Sequence, residues 1–232
     1  LILDQSLFQL AAAAGYGEAR LAVLANNLAN VNTPGFKADQ VHFSEVLNDL
    51  TEGPDVRMGQ FIELHPGPIE QTGNPLDVAI QGDGFFMVDT PAGQRFTRDG
   101  SFRIGEAGLL ITSEGHPVSG ANGPIAIDPA AGQVTITENG TVIAGDIPAG
   151  TIELFEFADP SSLRKLGGNL FSGLGQTPVE NPRVMQGAIE RSNVESVVEM
   201  TRMIEISRGY ETYQKLIQAM DQVASQTNEM GA

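Results

Sequence analysis

The chain has 232 residues, enough for one sizeable domain or two small ones, and 41% of them are hydrophobic. It carries 29 acidic against 13 basic residues, a formal net charge of −16, which argues against non-specific binding to nucleic acid or to anionic membrane. There is no cysteine, so disulfides, thiolate chemistry and Cys-based zinc sites are excluded, and no run of about 18 apolar residues is present to span a bilayer.

The first predicted element covers residues 1–33. Leu3, Leu7, Leu10, Ala14, Gly17, Leu21, Leu24, Leu28 and Val31 recur in steps of four and three, the a/d seam of a coiled coil. Gly15 and Gly17 weaken its middle, each by roughly 1 kcal/mol against Ala. Thr33 precedes Pro34, which disfavours helix there, and Pro34-Gly35 suits the centre of a type II turn. Asn26, Asn27 and Asn30 lie beside the seam although Asn is a poor residue for a helix interior. They are the candidates for fixing helix register through side-chain amides.

Residues 34–73 are rich in Gly, Pro and polar residues and read as a connecting arm. A β domain follows over 74–165, where short apolar runs recur between Gly- and Pro-rich turns. Leu76 to Ile80 alternates, Phe85-Phe-Met-Val88 is continuous, and Leu109 to Ile111, Val134 with Ile136, Val142-Ile143 and Ile152 to Phe157 follow. Asp99-Gly100 and Asn139-Gly140 read as hairpin turns, and Gly82-Asp-Gly84 as a tight turn between strands. Residues 166–191 read as a returning arm.

The last element covers 192–232. Ser192-Asn-Val-Glu195 has the capping-box pattern, with the Ser192 hydroxyl taking the amide of Glu195. Met203, Ile206, Tyr210, Tyr213, Ile217 and Met220 form a second seam. A lone helix of this kind is marginal in water, so the natural cover for one stripe is the other. The fold class is therefore α+β: long N- and C-terminal helices in a coiled-coil-like layer, with an all-β middle domain joined by extended arms.

Chemistry is hard to place. His42, His65 and His116 fit no metal-ligand spacing, no phosphate loop or nucleophile elbow occurs, and the carboxylates are scattered. No catalytic, cofactor-binding or metal site is expected, and the chain is not read as an enzyme.

Four blocks carry a family resemblance. Ala25-Asn-Asn-Leu-Ala-Asn-Val-Asn-Thr-Pro-Gly-Phe-Lys37, Leu76-Asp-Val-Ala-Ile-Gln-Gly-Asp-Gly-Phe-Phe86, Phe96-Thr-Arg-Asp-Gly-Ser-Phe102 and Gly187-Ala-Ile-Glu-Arg-Ser-Asn-Val194 resemble, in this order, the blocks of the bacterial flagellar rod and hook proteins. The short middle, with Gly115-His-Pro-Val-Ser-Gly-Ala-Asn-Gly-Pro-Ile125, is most similar to the proximal rod branch, with the distal rod as the alternative. The resemblance implies a structural subunit that assembles with copies of itself and neighbouring rod proteins into a helical tube. Such a tube transmits torque across the periplasm. It also implies delivery by the flagellar type III export apparatus, which fits the absence of a basic-then-apolar secretory signal at the start of the sequence. Leu7, Leu10, Leu21, Leu24, Leu28 and Val31 would then pack against Met203, Ile206, Tyr210, Tyr213, Ile217 and Met220, and the arms would bridge subunits. No nucleic acid partner and no direct membrane insertion are expected. A reading of another class, a secreted β module that binds a surface ligand and oligomerises through its ends, would need an aromatic cleft, and the chain has no Trp.

Overall fold

The N-terminal repeat forms α1, Ile2–Ala29, which continues unbroken through Gly15 and Gly17. The structure, a computed structural model, describes residues 2–46, 55–128 and 130–230, with side chains described for 13–41, 59–128 and 130–220. The C-terminal repeat forms α2, Ser196–Met230, whose 35 residues run for about 52 Å. Burial follows the seams. Leu24 is buried, Leu21 and Leu28 are half-buried, and Met203, Ile206, Tyr210, Tyr213, Ile217 and Met220 are half-buried between exposed neighbours. The side chains of Leu7 and Leu10 lie outside the described residues.

α1 and α2 pack on each other, and Gly17 marks the contact. A Cβ on Gly17 would sit 3.8 Å from Tyr210 Cδ2 and 3.9 Å from Ile206 Cγ2, which is ordinary contact. Gly17→Ala therefore removes a helix penalty without a clash and is expected to raise unfolding stability by about 1 kcal/mol. Urea unfolding followed by circular dichroism measures it, and a loss of stability would mean the site cannot take a methyl group.

The chain folds as two compact units. The first comprises Leu1–Ala29, Asp39–Phe61 and Glu195–Ala232, and the second Asn30–Ala38 and Ile62–Val194. The first unit thus joins the helices to a two-stranded sheet of Asp39–Val46 and Asp55–Ile62, placed where the sequence predicts an arm. The returning stretch is also paired. Ala188–Glu190 runs antiparallel to Ile69–Gln71, and Val184–Gln186 to Val78–Ile80. Ile69–Gln71 is exposed at all three positions, so no apolar run announces it.

The second unit is built on a six-stranded sheet. Its strand order is Arg164–Leu166, Leu170–Ser172, Gly93–Thr97, Phe85–Thr90, Leu154–Phe157 and Gln176–Pro178. The link from Ser172 to Gln176 can span at most about 14 Å. In a flat sheet those two strands would lie about 19 Å apart. The sheet therefore curls, and Gly173 on the link closes over Phe157 and Leu163.

The continuous run Phe85–Val88 is explained by a strand covered on both faces. Phe86 and Val88 join the larger core with Val78, Leu110, Ile125 and Ile152, while Phe85 and Met87 join Phe96, Phe155, Leu163 and Phe171 on the other side. Asn139-Gly140 is the expected hairpin turn between Val134–Ile136 and Thr141–Ala144, with Gly140 at φ +83°. Asp99-Gly100 is not a hairpin. The strands on either side of it pair elsewhere, Gly93–Thr97 with Phe85–Thr90 and Phe102–Ile104 with Leu110–Thr112. Asp99 Oδ1 instead accepts the Ser101 amide at 2.9 Å, and the Gly100 carbonyl accepts from Val78 N at 3.0 Å.

The expected cap at Ser192 is displaced. α2 begins at Ser196, and the carbonyl of Glu195 accepts the first helical bond, from Glu199 N at 3.0 Å. The Ser192 hydroxyl accepts the amide of Val194 at 3.2 Å rather than that of Glu195. Ser192 closes a local turn because the chain is still extended there, held against Phe36 by the bond from Asn193 N to Phe36 O.

Candidate functional site

The most organised polar site lies inside the second unit, where three stretches of its chain, around Lys37, Arg98 and Glu190, converge. The first is the turn that leaves the helical repeat. Phe36 N donates to Thr33 O, and Gly35 sits at φ +65°, the left-handed geometry that a type II turn demands at its third residue. No side chain fits at this glycine: a Cβ would lie 2.3 Å from the backbone carbon of Arg98.

The turn delivers Lys37 into the interior. Lys37, Arg98 and Glu190 have side-chain exposures of 0%, 2% and 1%. Lys37 Nζ lies 2.5 Å from Glu190 Oε1 and donates to His65 O at 2.9 Å. Arg98 Nη1 lies 3.0 Å from Glu190 Oε2, and its Nη2 donates to Gly82 O at 2.9 Å. Gly67 N gives Glu190 Oε1 a further bond at 3.0 Å. Burial pushes the Lys37 ammonium below its ordinary pKa, and Glu190 opposes that shift. The same balance lowers Arg98. Around the cluster, the Arg98 guanidinium stacks over the Phe85 ring, and Lys165 stands over the Phe36 ring at 3.7 Å while donating to Lys37 O.

Asn193 ties the same segments through backbone. Its Oδ1 accepts from Ala38 N at 2.7 Å, and its Nδ2 donates to Glu63 O at 2.7 Å and His65 O at 3.1 Å.

A second polar node lies in the first unit. Asn27 is 2% exposed. Its Oδ1 accepts from Asp39 N, and its Nδ2 donates to Asp39 O, both at 2.9 Å. Nδ2 also reaches Glu199 Oε2 at 3.2 Å, while Glu199 Oε1 pairs with Arg202. One amide thus joins α1, the start of the Asp39–Val46 strand and the first turn of α2. Beside it is a cleft of about 230 Å³ lined by Arg20, Leu24, Gln40 and Arg202, among others. Asn27→Leu leaves the buried Asp39 amide and the Glu199 carboxylate without this partner. It is expected to cost about 1–3 kcal/mol in urea unfolding, and a neutral result would remove Asn27 from the framework of this unit.

Of the other asparagines singled out in the sequence, Asn26 is exposed and Asn30 serves the turn, accepting from Thr33 Oγ1 and Thr33 N. Sequence reasoning did not single out Lys37, Arg98, Glu190, Asn193 or Glu199. Four of these five stand in the quoted blocks, and for Lys37 and Arg98 a charged residue close to glycine and phenylalanine was the available signal. Among the described residues no group of three or more His, Asp or Glu side chains is placed to hold a metal ion, and no helix is long and apolar enough to cross a membrane.

Comparison with known proteins gives the same three segments. The model described as Flagella basal body rod protein matches residues 18–37. Flagellar hook protein FlgE/F/G D1 domain matches 79–144, and Flagellar basal body rod FlgEFG protein C-terminal matches 185–230. Lys37, Arg98 and Glu190 each fall in a different one of these matches, so the buried cluster is the point where the three meet. The chain is 38% identical to the flagellar basal-body rod protein FlgF of Caulobacter vibrioides over 209 residues, 85% of each chain. It is 32% identical to FlgF of Salmonella typhimurium over 250 residues, 98% of each. To FlgG of Bacillus subtilis it is 31% identical over 240 residues, 89% of this chain and 91% of that one. The chain belongs to the flagellar basal-body rod protein family.

Proposed function

We propose that the chain is a structural subunit of the flagellar rod, in its proximal part, that assembles with copies of itself and with neighbouring rod proteins into a helical tube transmitting torque across the periplasm. The carrying observation is the ordered likeness to FlgF rod proteins over 85–98% of the chain. The role is structural rather than catalytic, as it is for the rod proteins it resembles. Its place is the flagellar basal body, reached through the flagellar type III export apparatus.

In this reading α1 and α2 form one layer of a coiled-coil type. Leu7, Leu10, Leu21, Leu24, Leu28 and Val31 from one end and Met203, Ile206, Tyr210, Tyr213, Ile217 and Met220 from the other carry helix packing and subunit contacts. Of the three asparagines proposed to set the register, Asn27 does so through Asp39 and Glu199, with Asn26 exposed beside it and Asn30 in the turn that ends α1. The outward side of α2 supports further contacts, since Val197, Met200 and Ile204 are 75%, 49% and 55% exposed. Contacts of one patch with a different patch on the next copy do not close a dimer but propagate, which is how a tube grows.

Genetic complementation tests the assignment. Expressed in a Caulobacter vibrioides strain lacking its own FlgF, the chain is expected to restore swimming, and in a strain lacking FlgG it is expected not to. Rescue of the second strain alone would move the subunit to the distal rod; rescue of neither, with the chain stably present, would count against a rod role.

A further inference from the structure

We propose that residues 187–194 form a latch, in which the single carboxylate of Glu190 closes over two cations supplied far earlier in the chain, and that the segment leaving α1 stays open until this latch arrives. The argument goes beyond the rod reading and does not depend on it.

Two buried cations need a partner before they can leave water, because an unpaired charge in a dry interior is strongly disfavoured. Among the described residues Glu190 is the one carboxylate in ion-pair contact with either Lys37 or Arg98. Asp83 attracts both only through space. The backbone tells the same story. Gly35 N donates to Glu190 O at 2.7 Å, Asn193 N to Phe36 O at 3.3 Å, and Arg191 N to Pro68 O at 2.9 Å. Ala38 N finds its acceptor on the Asn193 side chain. Gly67 fits so closely that a Cβ would lie 2.0 Å from Arg191 O. The segments 33–38 and 65–68 thus take many of their partners from residues 187–194.

The main core does not need those residues. The cluster around Phe86, Leu110 and Ile152 draws its buried members from Val78 to Val184, all before the latch. A core complete without the latch and a latch complete only with Glu190 can separate energetically, one opening while the other holds. In a chain synthesised from its N-terminus, the turn at Thr33–Ala38 has partners in Glu63 N and Asn169 Nδ2, but Lys37 lacks its carboxylate, and the turn its lock, until Glu190 has been added.

The test uses the full chain, with Lys37 amine labelling and hydrogen exchange both mapped by mass spectrometry. Glu190→Gln keeps the shape and an acceptor for Gly67 but removes the charge. It is expected to speed Lys37 labelling about tenfold or more, with exchange protection lost at 35–38, 65–67 and 188–193 and kept at 85–88 and 110–112. A second variant, Lys37→Met with Glu190→Gln, has the same net charge in the site as the native chain, and protection at Gly35 and Ala38 is expected to return toward native. Unchanged labelling in the single variant overturns the proposal. So does loss of protection in the strands together with the latch, which would make the unit one cooperative body. No recovery in the double variant would overturn the charge argument at its base.

Discussion

Gly100→Ala is expected to cost about 3 kcal/mol or more in urea unfolding, far above the usual effect of one added methyl group. A Cβ at this position would lie 1.7 Å from Val78 O and 2.8 Å from the carbon of the same carbonyl. Both atoms are backbone, in a strand with Val78, Ala79 and Ile80 buried, so no side chain can swing aside. Relief requires moving the strand, and that lengthens the bond from Val78 N to Gly100 O. The comparison with Gly17→Ala is the sharper test, since the same chemical change is expected to have opposite sign at the two positions. A loss under about 1 kcal/mol at Gly100 would mean the approach of these two backbones is looser than described.

Phe86→Ala is expected to cost about 3–5 kcal/mol. Phe86 is fully buried and meets the Phe102 ring edge-on, with centroids 5.0 Å apart and planes at 78°. Truncation removes that contact and leaves a cavity among strands from distant parts of the sequence. A cycle with Phe102→Ala is expected to show coupling of about 0.5–1.5 kcal/mol from the pair itself. Strict additivity of the two losses would show that the rings fill space without interacting.

The helices were legible because their signal is repeated. Eight seam positions in α1 and six in α2 all speak for one periodicity, and two glycines were not enough to break it. The strand at Phe85 was legible because four bulky residues in succession are affordable only where both faces are covered. The strands at Ile69–Gln71 and Gln176–Pro178 were not legible, since all six residues are exposed and are held by pairing with distant segments rather than by a buried face. Asp99-Gly100 misled because a glycine needed for close backbone approach looks, in one dimension, like a glycine needed for a turn. Ser192 misled because a hydroxyl two residues before an amide and one three residues before it begin with the same pattern.

The buried cluster was beyond sequence reading for a different reason. Lys37 meets Glu190 across 153 residues and Arg98 meets it across 92. No local pattern records that three charges will share one dry volume, and a sequence alone gives each the default of a solvated surface charge. Their family blocks marked the segments as special but not the ion cluster that joins them.

Gly17 has a consequence in the language of genetics. Glycine codons differ from alanine codons by one base, so the methyl group that the α1–α2 contact can accept is a single mutational step away. An available gain in stability that the chain does not carry is expected where selection removes only variants that fall below a stability threshold. A selection for suppressors of destabilised variants should therefore recover alanine at Gly17, where the facing Tyr210 and Ile206 leave room for it.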